Sequence, residues 1–451
     1  MKVVLALGWY FPESSGGTEV YVSELARALK RSGVEPIVAA PAGSSGPAHY
    51  EHAGIRVHRY PLARDPDRSE ASGDRPPTTM SEFARWLERE KPDIYHQHSW
   101  TRGCGVHHLA AARGLGLRTV TTIHVPAPIC LRETMLLDGR SECDGWIDTR
   151  RCTRCWGASR GIPAVMADLI GRAPRLAVGA AMLLPAGSRL RTGLRTPQLV
   201  DAHRHRFDRL VELSDRLIVV CDWLRNAALR NNADPLRLLL CRQGVAEDAA
   251  SWPEPPVRTG ALRLGYLGRL DPVKGLDLLV KAVASVPAST PVELVIHGLL
   301  QDEAYGQYLR RLASADGRVR FAPPATRESL RGVLQSFDVL AIPSRWLETG
   351  PLVALEARAA GIPVLASRRG GLAEIVEDGV HGWLVPPDDM DAWSAAVREL
   401  AADPARARAL RGRRGPVRRM TDVCTEMLAV YSSLLREGAG TCGVGRAAVS
   451  G

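Results

Sequence analysis

Residues 344–361 read SRWLETGPLVALEARAAG. The stretch follows the apolar run 338–343 (DVLAIP), which reads as a short buried strand. After the turn Thr349-Gly350, Pro351 opens a segment of helical period, at a position where its missing N–H costs nothing. Laid out at about 100° per residue, Leu352, Val353, Leu355, Ala359 and Ala360 form an apolar stripe. Glu356 falls in the middle of that stripe, and Arg358 points the other way. A carboxylate on a packed face must find hydrogen-bond donors or shift its pKa, and a ligand carrying hydroxyls would supply such donors. Glu348 lies in the loop just before the helix. Between the two acids, the helix N-terminus offers free backbone N–H groups and the positive end of a dipole, a setting suited to phosphate.

Strands and helices alternate on both sides of this stretch, as in a parallel α/β sheet. Upstream, residues 262–267 read as a strand leading into the loop 268–275, GRLDPVKG. That loop sets Arg269 and Lys274 at a strand end just before a helix. An arginine binding bidentately and a lysine acting as a point charge can clamp a diphosphate, although either alone reads equally as a solvated cation. Strands follow at 292–296, 318–321 and 363–367, with a helix at 326–335. Arg369-Gly370-Gly371 then makes another glycine turn into a helix. Residues 417–435 read as a long terminal helix, and 438–451 as a disordered tail. With 451 residues the chain exceeds one ordinary core. The proline-rich segment 250–259 is the expected boundary, between an N-terminal domain at 1–248 and a C-terminal domain at 258–415.

In the N-terminal half, residues 2–8 read as a strand and 19–32 as a helix, joined by a loop containing Gly16-Gly17-Thr18-Glu19. Glycines at a helix start bring backbone N–H groups close to an anion, or simply make a tight turn. The dinucleotide fingerprint Gly-x-Gly-x-x-Gly is absent here, which disfavours a nicotinamide enzyme. Further strands are expected at 37–40, 55–60, 93–98, 119–123 and 215–220, with a helix at 83–89 and a polar surface loop at 64–80. His96, His98 and His124 fall at or near strand C-termini, the edge where open α/β sheets bind ligands. His96 and His98 share a face, and His96 reads as packed and hydrogen-bonded. Cys130, Cys143, Cys152 and Cys155 give C-x12-C-x8-C-x2-C, a spacing suited to a four-thiolate structural zinc site. An iron–sulfur cluster and metal-free reduced thiols are the alternatives. Residues 157–205 are weakly apolar and rich in arginine. They fit a lid, a face resting on an anionic membrane beside a lipid-linked acceptor, or ordinary packing over the sheet.

The net charge of +10 fits phosphorylated ligands, an anionic membrane surface or an arginine-rich composition. Few aromatics and no nucleic-acid motif argue against nucleic acid as a partner. No apolar run reaches membrane-spanning length, and the apolar N-terminus lacks a cleavage pattern, so a cytoplasmic protein, peripheral at most, is expected.

The pattern Glu-x7-Glu in its strand–loop–helix setting resembles the retaining glycosyltransferases of family 4, which have the GT-B fold. The Arg269/Lys274 loop, Gly16-Gly17, His124 and Gly370-Gly371 match the same family. The resemblance implies two Rossmann-like domains facing across a cleft, with the terminal helix (417–436) crossing back to the first. It implies that Glu348 contacts hydroxyls of a donor sugar, Glu356 the ribose of its nucleotide and His124 the sugar. Arg269 and Lys274 would stabilise the departing diphosphate without a cofactor. Gly16, Gly17, Thr349, Gly350 and Leu352 would complete the donor site. Other members carry a similar four-cysteine insertion, here spanning about 126–205. Cys221 and Gln243 stand where the family usually has Ser and Asn, so no role carries over to those side chains. The expected activity is transfer of a sugar, a hexose by expectation, from a nucleoside-diphosphate sugar to an acceptor, with retention of configuration. A nucleotide-sugar epimerase and a non-catalytic membrane-surface assembly protein are the alternatives.

Overall fold

The computed structural model describes residues 1–14, 16–43, 46, 48–185, 188–256 and 258–442. Its contacts divide the chain into two compact units. The first comprises residues 1–242 together with 421–451, and the second residues 243–420.

The first unit is built on an eight-stranded sheet. Its strands are β1 (Lys2–Ala6), β2 (Glu35–Pro41), β3 (Ala48–His52), β4 (Ile55–Tyr60), β5 (Ile94–Gln97), β6 (Arg118–Ile123), β9 (Arg216–Val219) and β10 (Leu238–Leu240); a separate hairpin pairs β7 (Leu136–Leu137) with β8 (Ser141–Glu142). The order is β10-β9-β6-β5-β1-β2-β4-β3, parallel throughout except for β3, which runs antiparallel to β4. The edge strand β3 lies between the expected strands at 37–40 and 55–60, where no strand is expected from the sequence. Ala53 and Gly54 turn it back with φ of 50° and 76°, the left-handed pair a two-residue hairpin needs. Alternation of polar residues along β3, half in contact with solvent, hid it among loop residues. The segment read as a polar loop at 64–80 contains a short helix, Arg68–Ala71, whose Glu70 is buried against Arg102.

Between β6 and β9 the chain inserts five helices: Thr149–Ser159, Ala164–Arg172, Pro174–Met182, Arg189–Leu194 and Thr196–Leu213. The terminal helix, Met420–Cys442, begins later than 417 and continues past 436. Val423, Met427, Tyr431 and Leu434 recur at helical spacing and are buried in this unit. The expected tail is thus helical to Cys442, and residues 443–451 lie outside the described residues.

The second unit has a six-stranded, all-parallel sheet. It contains β11 (Leu262–Leu270), β12 (Val292–Leu300), β13 (Val319–Ala322), β14 (Val339–Ile342), β15 (Val364–Ser367) and β16 (Gly382–Val385), in the order β13-β12-β11-β14-β15-β16. One core gathers Leu264, Leu279, Val283, Ile296 and Trp393; a second gathers Phe337, Leu340, Ala354, Ala357 and Val364. Helices on both faces explain why β14 and β15 are buried along their whole length, whereas β12 and β13 alternate or carry charged residues.

The boundary does not fall in the proline-rich segment. Val245, Ala249 and Trp252 are buried in the second core, and carbonyls of Pro253 and Pro256 accept hydrogen bonds from Gln335 and Arg411. Entry and exit of the second unit are clasped together. Val245 N–H donates to the Arg418 carbonyl at 2.9 Å, and Met420 N–H to the Val245 carbonyl at 2.8 Å. A Cβ on Gly244 would lie 2.4 Å from the Arg419 carbonyl oxygen, so only glycine fits beside that crossing.

Candidate active site

In the second unit the loop after β14 carries Glu348, which is buried. Lys274 Nζ lies 2.7 Å from Glu348 Oε1, and the Ser344 hydroxyl donates to the same oxygen at 2.6 Å. Burial alone would raise the Glu348 pKa. The Lys274 ammonium, its hydrogen bond and that of Ser344 outweigh burial and hold the carboxyl below its ordinary value. Lys274 also sits 4.8 Å from the centre of the Trp346 ring, a cation–π distance.

Backbone conformation sets this pair. Asp271 caps the turn Pro272–Lys274 by accepting from Val273 N–H at 3.0 Å, and Gly275 follows with φ of 67°. A Cβ there would come within 2.0 Å of the Pro343 carbonyl oxygen, so glycine lets the end of β14 approach the turn. Arg345 fastens the loop further, pairing bidentately with Asp277 at 2.6 and 3.0 Å and with Asp388 at 2.7 Å.

Two helix N-termini meet at Glu348. Helix Leu352–Ala359 begins four residues on, with Pro351 as its N-cap and not its first helical residue. Helix Gly370–Ile375 points its first amides at the same loop: Gly371 N–H donates to the Glu348 carbonyl at 2.6 Å. A Cβ on Gly371 would stand 2.7 Å from that oxygen. Thr349 and Gly350 lie in the loop between Glu348 and helix Leu352–Ala359, and Leu352 is its first residue. Arg269 lies near the end of β11, where its guanidinium donates to Gln301 at 3.2 Å. It does not join the Lys274–Glu348 pair.

Glu356 finds a hydrogen-bond donor within the protein. Its side chain keeps only 13% exposure, yet it needs no ligand to supply a donor: Arg327 reaches it at 3.3 Å while also pairing with Asp248 at 3.0 Å. Arg327 was not singled out in the sequence, because 29 residues separate it from Glu356. Buried Arg369, named in the sequence only as part of the glycine turn, donates its guanidinium to the Arg345 carbonyl at 2.5 Å. Its position directly before Gly370-Gly371 was the available signal.

In the first unit the strand-end histidines form one buried group. His96 is satisfied on both sides, by the Tyr431 hydroxyl at 2.6 Å and the Thr122 hydroxyl at 2.7 Å, as a packed histidine should be. His98 Nδ1 lies 3.0 Å from His124 Nε2. Burial drives the His124 and His96 pKa values down to about 3, with the neighbouring His124 adding to the effect at His96; His98 moves the same way. All three are neutral imidazoles at neutral pH. Gly16 is the N-cap of helix Gly17–Arg31, but Glu19 occupies its first turn and accepts from the Ser14 hydroxyl at 2.6 Å. That carboxylate competes with any anion for the positive end of the helix.

Two family profiles match the chain: "Glycosyl transferases group 1" over residues 252–414 and "Glycosyltransferase Family 4" over residues 15–166. The structure resembles sucrose-phosphate synthase from Thermosynechococcus elongatus, with a TM-score of 0.66 and 20% identity, covering 97% of this chain and 100% of that one. The chain has the GT-B fold, and each of its two units carries a match to one of these glycosyltransferase models. A second neighbour, Anabaena HepE in complex with UDP and glucose, gives a TM-score of 0.62 at 14% identity, covering 95% of this chain and 99% of that one. Among curated relatives, the D-inositol 3-phosphate glycosyltransferase of Mycobacterium avium is 34% identical over 252 residues, which is 51% of this chain and 57% of the relative. The chain therefore spans just over half the length of that relative.

The insertion between β6 and β9 brings its four cysteines around one small cavity. Cys130, Cys143, Cys152 and Cys155 line it together with Trp146 and Trp156. Arg151 donates to Cys143 Sγ at 2.8 Å, and the Asp138 N–H to Cys155 Sγ at 3.2 Å. Burial pushes the Cys152 thiol up to about 12 and raises Cys130. Among the described residues, no group of three or more His, Cys, Asp or Glu side chains is set to hold a metal ion.

Proposed function

We propose that this protein transfers a sugar, a hexose by preference, from a nucleoside-diphosphate sugar to an acceptor with retention of configuration. The observation that carries this reading is the Lys274–Glu348 pair, seated where two helix N-termini converge at the C-terminal edge of the second sheet. Converging helix ends and the cations Lys274 and Arg269 suit a diphosphate, whose charge grows as the bond to the sugar breaks. Glu348, ionised by its surroundings, suits the hydroxyls of the donor sugar. Glu356, with Arg327 beside it, suits the ribose. His124 as a neutral imidazole can exchange hydrogen bonds with a sugar without adding charge. On this reading Gly16, Gly17, Thr349, Gly350 and Leu352 supply backbone contacts to the donor.

UDP-glucose is the first donor to test, since a structural neighbour was solved with UDP and glucose. D-Inositol 3-phosphate, named in a relative, is the first acceptor. Calorimetric titration with UDP, GDP, ADP and dTDP should show tight binding of one diphosphate that Glu356→Ala abolishes. Failure of all four to bind folded protein overturns the reading. A product assay with and without acceptor separates transfer from epimerisation.

The thiols of Cys130, Cys143, Cys152 and Cys155 would hold a structural zinc, which would staple the insertion without entering the reaction. Their shared cavity supports this, and N–H donors already reach the Cys143 and Cys155 sulfurs. Metal analysis of purified protein, with and without a chelator, checks it. Free cysteines among the described residues fit a reducing, cytoplasmic setting.

A further inference from the structure

The insertion leaves an apolar surface uncovered. Helix Ala164–Arg172 buries Ala167 and Ile170, and helix Pro174–Met182 buries Ala177 and Ala181. Their opposite sides are apolar as well: Val165 is 75% exposed, Leu176 78%, Met182 77% and Leu183 88%. Seven of the sixteen exposed large apolar side chains among the described residues fall between 165 and 190. Leu176, Ala180 and Leu183 recur at i, i+4 and i+7, the spacing of one helix face. A soluble surface does not concentrate its apolar side chains in this way without a partner.

The charge of the same segment selects the partner. Residues 160–195 contain six arginines and one acidic residue, Asp168. Arg175 and Arg189 are exposed next to Leu176 and Leu190. Apolar side chains flanked by cations match an anionic bilayer, where the former enter the acyl boundary and the latter meet headgroups. The helices here have nine, nine and six residues, and no described helix is long and apolar enough to cross a membrane. We propose that the face formed by helices Ala164–Arg172, Pro174–Met182 and Arg189–Leu194 docks the protein on an anionic phospholipid surface. The inference stands whether or not the transfer reading does, because no residue of the candidate active site enters it.

Co-sedimentation of the full chain with vesicles of phosphatidylcholine, alone or mixed with phosphatidylglycerol, tests this. Binding is expected only to the anionic vesicles and should fall as salt rises. Each arginine near such a surface is worth a factor of about five, so Arg175→Glu/Arg189→Glu should weaken binding at least about twenty-fivefold. Leu176→Ser/Leu183→Ser should also release the protein while leaving thermal unfolding unchanged, since both side chains face solvent. Equal binding to both vesicle types, no binding to either, or full binding by the two variants overturns the proposal. So does sedimentation showing a dimer that Leu176→Ser/Leu183→Ser dissolves, which would assign the face to a second copy of the chain.

Discussion

Glu348 is ionised inside a protein because Lys274 and Ser344 compensate its burial. Removing one partner of a buried ion pair strands the other charge. Lys274→Ala should therefore destabilise the second unit by about 3 kcal/mol, read by chemical denaturation, and should abolish diphosphate binding. Glu348→Gln keeps the volume and the acceptor oxygen and should cost less stability. The sign of the pH effect follows from the depressed carboxyl pKa: this contribution is full above the unfolded value and is lost as pH falls through the folded one. The histidines add to acid sensitivity over a different window. With folded values near 3 for His96 and His124, the unfolded chain binds protons first as pH drops below about 6.5. Melting temperature should thus fall from pH 6.5 towards 3, and a less steep fall in His98→Gln would assign part of the slope to this cluster. Glu348 and Lys274 were legible in the sequence because short motifs fix both. The Arg327 partner of Glu356 was not, because its approach depends on how a distant helix packs.

At the level of elements, the apolar runs at 338–343 and 363–367 were legible as the central strands β14 and β15, while the edge strand β16, a short run opened by Gly382, was not expected. The hairpin β3–β4 escaped because Ala53, not glycine, takes the first left-handed position of its turn. Glycine-controlled contacts carry the site. Gly371→Ala would push the helix Gly370–Ile375 off the Glu348 carbonyl, which lies 2.7 Å from the new Cβ. A displacement of that order should weaken donor turnover by about a hundredfold, with circular dichroism little changed. Steady-state kinetics against the identified donor would measure it.

For the whole molecule, the sequence placed the division at a proline-rich run, and the structure places it on either side of residues 243–420. Proline content marks where a chain cannot continue a helix or a central strand, but burial of Trp252 decides where a core begins. The clasp of Val245 with Arg418 and Met420 pins the two ends of that unit. Gly244→Ala should loosen it and lower the melting temperature, because its Cβ meets backbone that cannot rotate away. The same connectivity sets an order of events during synthesis. A ribosome that has completed residue 242 has made every strand of the first sheet, but none of the helix that brings Tyr431 to His96. The intervening unit is made next as one uninterrupted piece, with both halves of its clasp. The first unit, begun earliest, is thus the last to be closed, and a message cut short before the terminal helix yields a sheet whose buried histidine lacks its hydroxyl partner.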